Sequence, residues 1–250
     1  MRRAYLGLLI VLIVFAAGCI SGEGSSPTKT TTTSNSLPFT ADDLRNAIEG
    51  LKSYEYTMRV DSYNGTELVA QLVTVGAIDF EKKLKSVSTF SNTSGGSYYR
   101  SYYYTTNDGY AMYFDRNGTV SWEASCYGPG KGPDFNSTIL DGLWEVMNIE
   151  GVKVVEKDGY YLVYANTTSG TASEGQITAY RTQIELKLTK DLIPVTVRKT
   201  VHYRKDSSEW MDITTIEVRR PNGATVEPPE GLVEYLKEQG IDLEEFLSGC

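Results

Sequence analysis

From Tyr54 onward the apolar residues of this chain recur at every second position, and that period sets the fold class. Tyr54, Tyr56, Met58 and Val60 alternate with Glu55, Thr57, Arg59 and Asp61, the pattern of a strand with one buried and one wet face. Asn64-Gly65 follows, a dipeptide suited to tight hairpin turns. Glu67 to Val75 reads as the return strand, with apolar residues on both faces. Further strands are expected over Lys82 to Phe90, Tyr98 to Thr105, Tyr110 to Phe114 and Thr119 to Ala124. Asn107-Asp108-Gly109 and Asn117-Gly118 are the turns between the last three. The pattern resumes at Val152 to Glu156, Tyr160 to Asn166, Gln176 to Thr189, Val195 to Arg204 and Glu209 to Arg219. The expected class is therefore α+β and mostly antiparallel β, with about eleven sequential strands.

Helical spacing occurs in three places. Thr40 and Asp43 make a variant capping box ahead of Leu44, Ile48 and Leu51. In mid-chain, Asn136 or Ser137 is the expected cap of a helix whose stripe is Ile139, Leu140, Leu143, Trp144 and Met147. Pro228-Pro229 opens a final helical region that Gly240 divides.

The N-terminus addresses location. Arg2 and Arg3 precede an apolar run through Phe15, which ends at Ala16, Ala17 and Gly18 before Cys19. This is the layout of a secretory signal with small residues at the cut. It resembles the lipobox of exported lipoproteins, which implies cleavage after residue 18 and lipidation of Cys19. The alternative is a plain transmembrane anchor, for which the run falls short of the roughly 20 residues a span needs. Residues 19–37 are rich in Ser and Thr and nearly free of apolar side chains, so they read as a tether. The folded domain is expected over residues 38–250.

Loss of Arg2 and Arg3 takes the formal charge from -8 to -10. So acidic a surface repels nucleic acid and anionic headgroups. Eighteen tyrosines and three tryptophans are too many for a disordered chain. With Cys19 assigned to lipid, Cys126 and Cys250 remain; in an exported protein they are expected to pair, the alternative being two free thiols. Five N-x-S/T sequons, at Asn64, Asn92, Asn117, Asn136 and Asn166, fall in expected turns, loops or a helix start, where a glycan has room. Lipobox, Thr-rich tether and scattered sequons together resemble archaeal surface lipoproteins.

Gly76-Ala77-Ile78-Asp79-Phe80 with Leu84 and Ser86 resembles the second-to-third strand crossing of the lipoprotein-carrier superfamily, the LolA/LppX-like half-barrels. Leu192-Ile193-Pro194-Val195 resembles a turn late in their sheet. The likeness spans roughly Phe39 to Pro221. It implies a curved open sheet around helices, with an apolar cavity that takes acyl chains. A closed barrel or a sandwich with a filled core fits the alternation equally.

Enzymatic signals are sparse. His202 is the only histidine, and no H-E-x-x-H or G-x-S-x-G occurs. Neither a metal site nor a cofactor site is expected, and Gly128, Gly130 and Gly132 around Lys131 lack phosphate-loop spacing. The run Tyr98-Tyr99-Arg100-Ser101-Tyr102-Tyr103-Tyr104 places aromatics on both sides of one strand, more than one core face needs. Tyrosines suit amphiphiles and also stack on sugars. The expectation is a non-enzymatic lipoprotein on the outer face of the cell membrane, with a lipid or amphiphile as ligand. Tyr56, Met58, Val60, Leu72, Tyr102, Tyr104, Leu143, Trp144 and Met147 are the expected lining. A structural or interaction module with a filled core and a carbohydrate-binding module are the alternatives.

Overall fold

Thr40 and Asp43 cap the first helix reciprocally: the Asp43 N–H donates to Thr40 Oγ1 (3.2 Å) and the Thr40 N–H to Asp43 Oδ2 (2.8 Å). That helix, α1 (Ala41–Glu49), buries Leu44 and Ile48 and stops at Gly50. The computed structural model describes residues 37–128, 132, 135, 138–168, 170–171, 177–205 and 208–250. Within it, Pro38–Cys250 forms a single unit.

Twelve strands follow, in order β1 (Ser53–Asn64), β2 (Glu67–Asp79), β3 (Leu84–Thr93), β4 (Tyr98–Thr105), β5 (Gly109–Arg116), β6 (Thr119–Cys126), β7 (Lys153–Lys157), β8 (Tyr160–Thr167), β9 (Gly170–Thr171), β10 (Ile177–Leu188), β11 (Pro194–Lys205) and β12 (Ser208–Arg219). They form one antiparallel open sheet, in the order β6-β5-β4-β3-β2-β1-β12-β11-β10-β8-β7. The two-residue β9 pairs with β10 off this path. Two meanders therefore meet where β1 pairs with β12, with Tyr56 opposite Val218 and Met58 opposite Ile216. Helices α2 (Glu230–Glu238) and α3 (Leu243–Ser248) close the chain.

Several boundaries differ from those read in the sequence. β2 runs on past Val75 through Gly76 to Asp79, and Leu84 and Ser86 open β3, so this stretch spans the connection between the second and third strands. Asn92 and Asn166 belong to β3 and β8, not to turns. The mid-chain helix is not an α-helix: only Leu143–Asn148 is helical, as a 3-10 turn. Gly142 explains this, because at φ 70° it breaks the helical path between Leu140 and Leu143. Thr138 caps the preceding turn, donating from N and Oγ1 to Asp141 (2.7 and 2.9 Å). The expected caps Asn136 and Ser137 lie outside the described residues.

Directly opposed residues of an antiparallel pair share a face, so the register sorts the sheet into two faces. The front carries Tyr56, Gly76, Val87 and Val218. There Leu44, Ile48 and Leu51 join Leu140, Val146 and Met147 in packing on Tyr54, Tyr56, Ile78, Leu186, Val197 and Ile216. The back carries Tyr104 opposite Ala111, and Tyr102 opposite Tyr113. Leu232, Leu236 and Leu243 of α2 and α3 cover these. The two cores thus lie on opposite faces of one sheet.

Candidate functional site

Three rows of the front face run across the sheet, the first two within the α1 core and the third beside them. The first is Val87, Gly76, Tyr56 and Val218. The second runs from Thr74 through Met58, Ile216, Val197 and Leu186 to Val163, and is apolar from Met58 onward. The third runs Ser91, Leu72, Val60, Thr214, Lys199, Ile184 and Ala165. This third row changes character. Leu72, Val60, Ile184 and Ala165 keep it apolar, but Ser91, Thr214 and Lys199 sit among them. Val60 is 2% exposed, Ser91 4% and Thr214 9%, so these polar groups are shielded with the apolar ones. Burial holds the Lys199 amine below the ordinary lysine range.

One row further, Asp212 stands opposite Val201, and both are buried. Tyr203 Oη donates to Asp212 Oδ1 (3.4 Å) and its ring stacks on Trp210 at 6.3 Å. Burial, with the Asp212 charge second, pushes the Tyr203 phenol far above the usual tyrosine range. Chemically this is an apolar floor with a cation, an anion and hydroxyls at its margin.

A second front-face group lies across β4 and β5. Tyr103 packs on Tyr110 and Tyr110 on Tyr127, with centroids 6.5 and 5.4 Å apart. Thr105 Oγ1 and Tyr127 Oη share a hydrogen bond of 2.8 Å, and Tyr103 Oη lies 3.4 Å from Tyr127 Oη. Tyr110 Oη donates to Glu123. Burial, and then the Tyr127 hydrogen bond, raises the Tyr103 phenol.

The nine expected lining residues divide between the faces. Tyr56, Met58, Val60 and Leu72 share the front face. Leu143, Trp144 and Met147 pack against the same core from the 3-10 turn, although Trp144 is half-buried, with the Arg45 guanidinium 5.0 Å over its ring. Tyr102 and Tyr104 belong to the back, under α2 and α3, and do not join them. The ring of Tyr102 lies so close to Gly231 of α2 that a Cβ there would meet it at 2.6 Å.

Cys126 and Cys250 are joined, with Cα atoms 5.2 Å apart. Asn64, Asn92, Asn117 and Asn166 are exposed. Asn117 also sits at φ 50° in the β5–β6 turn, where its Oδ1 accepts the Tyr98 N–H (2.7 Å). Cys19 and Asn136 lie outside the described residues. Among the described residues, no helix is long and apolar enough to cross a membrane. No group of three or more His, Cys, Asp or Glu among them could hold a metal ion.

Lys199 and Asp212 escaped the sequence reading, yet a signal exists. Val197, Lys199, Val201 and Tyr203 form the apolar phase of β11, and Trp210, Asp212, Thr214, Ile216 and Val218 that of β12. A charge in the apolar phase of a strand marks an inward-facing polar group.

The fold and this face define an antiparallel open-sheet domain with a helical layer on each face. No family model and no curated protein matches the chain. Among solved structures it shows a weak likeness to a LolA superfamily protein from Nitrosomonas europaea. The two share 6% identity at a TM-score of 0.22, over 76% of this chain and 96% of that one.

Proposed function

We propose that the chain is a non-enzymatic lipoprotein, held by Cys19 on the outer face of the cell membrane, whose domain binds a lipid or another amphiphile on the front face. The third row carries the proposal. Leu72 and Ile184, both half-buried, offer apolar contact to an acyl chain, while the half-buried Lys199 in the same row offers a polar partner to a headgroup. Ligand sites commonly join an apolar wall to a few placed polar groups in this way. Native mass spectrometry of protein purified from its own envelope, followed by solvent extraction, should release a lipid-sized species. Leu72→Asp should abolish loading while the circular dichroism spectrum is kept. Wild-type protein that carries nothing and takes up no fatty acid or phospholipid would sink the proposal.

A second reading is a structural or interaction module of the envelope. It is favoured by the filling of the Tyr54 and Tyr56 region by Leu44, Ile48, Leu140 and Met147. The carbohydrate reading has less support, because the tyrosines of β4 are buried or half-buried and form no solvent-facing row. Anchoring has its own test. Cys19→Ser should leave unprocessed or soluble protein, and a mutant with unchanged lipid mass and fractionation would refute the assignment.

A further inference from the structure

The two free edges of the sheet are not alike. β7 is short and carries Lys153, Glu156 and Lys157, and Glu156 pairs with Lys190. Charges of this kind keep an edge from pairing with other chains. β6 reads Thr-Val-Ser-Trp-Glu-Ala-Ser-Cys, with a single charge, Glu123, and no proline or lysine. Val120 and Trp122 are 43% and 38% exposed.

The phase of this edge is fixed. The Tyr127 N–H donates to the Asp108 carbonyl (2.8 Å) and continues the β5–β6 ladder. Odd-numbered residues of β6 therefore bond to β5, and Val120, Trp122 and Ala124 direct their N–H and C=O groups out of the sheet. Among the described residues no backbone partner meets them.

We infer that β6 is a self-association edge, at which a second copy of this chain adds antiparallel about a two-fold axis through Trp122. That register is self-complementary. Trp122 faces its own copy, Val120 faces Ala124, Ser121 faces Glu123 and Thr119 faces Ser125. The three outward residues of each copy would exchange about six backbone hydrogen bonds. The only charge meets a hydroxyl rather than its like. Trp122, already beside Tyr235 of α2 at 6.4 Å, gains an aromatic cross-strand partner. The contact is isologous and closes at two copies.

Proline at an outward position deletes an edge donor and spares the bonds to β5. The full chain in mild detergent should sediment as a dimer. Val120→Pro with Ala124→Pro should raise the dissociation constant on the order of tenfold or more, with dichroism unchanged. Should that variant misfold, Val120→Lys with Trp122→Lys sets like charges across the axis and should likewise give monomer. Trp122→Cys should yield a covalent dimer under air, and Ser121→Cys, off the axis, much less. A wild-type monomer at every concentration, or a dimer indifferent to these changes, overturns the inference.

Discussion

The ring of Tyr56 on β1 lies directly over Gly76, its register partner on β2, so that a Cβ on Gly76 would come within 2.4 Å of the ring. Glycine in a strand interior is normally a weakness, but here it makes room for an aromatic ring in the core. Gly76→Ala should therefore destabilise the fold by about 1 to 3 kcal/mol through overpacking. Urea unfolding would read this as a lower midpoint at unchanged slope. A neutral or stabilising effect would mean that the ring moves aside freely.

The Cys126–Cys250 bridge fastens the two C-terminal helices over the back face. Closing so long a loop restricts the unfolded chain by about 5 kcal/mol in the chain-entropy account. Cys126→Ala with Cys250→Ala should speed hydrogen exchange across α2 and α3. It should also leave exchange slow in β1 and β12. Uniform acceleration throughout the sheet would show that the helices do not open as a separate unit.

Leu140 and Trp144 occupy neighbouring turns but should behave differently. Leu140 is fully buried in the front core, and Leu140→Ala should cost about 3 to 5 kcal/mol. Trp144 is half-buried beneath Arg45, so Trp144→Ala should cost roughly 1 to 2 kcal/mol, less than a core tryptophan would. Equal losses at the two sites would place the indole deeper than its surroundings indicate.

High pH should unfold the domain through its buried phenols. Burial pushes Tyr56 up to about 12 from an ordinary 10.0, and burial likewise raises Tyr54, Tyr103 and Tyr203. A raised folded value gives stability that is complete below pH 10 and is lost as the pH climbs through 12. Tyr56 alone accounts for about 2 to 3 kcal/mol of that loss, and Tyr56→Phe should lessen it. Lys199 acts in the opposite sense. Its folded value is lowered from 10.5, so its contribution rises with pH up to about 10.5. Ultraviolet titration should show a late-ionising tyrosine class that disappears with unfolding, and a single class near pH 10 would contradict it.

The eleven strands of the main path, the turn after β1 and α1 were legible because each rests on local chemistry: period two along β1, Asn-Gly at residues 64–65 and the Thr40–Asp43 box. The antiparallel class followed from these, whereas the open sheet was what the resemblance to the half-barrels implied. What stayed hidden depends on which face each strand presents after pairing. Tyr56 sits in an alternating run and Tyr102 in one with aromatics on both sides, yet only the register through β2 and β3 shows that they point to opposite sides. The mid-chain stripe had helical spacing, but a positive φ at Gly142 is a backbone property that the apolar period does not report.

The pairing of β1 with β12 also bears on how the chain finds this arrangement. Every other neighbouring pair on the strand path is consecutive in sequence, apart from β8 and β10 with the small β9 between them. Each meander can thus zip up hairpin by hairpin at low entropic cost. Only the seam from Glu55–Arg219 to Asn64–Trp210 demands a distant encounter. That seam is the one strand pairing that joins the two meanders, and it makes the segment between β6 and β7 the natural place to divide the chain into two complementing halves.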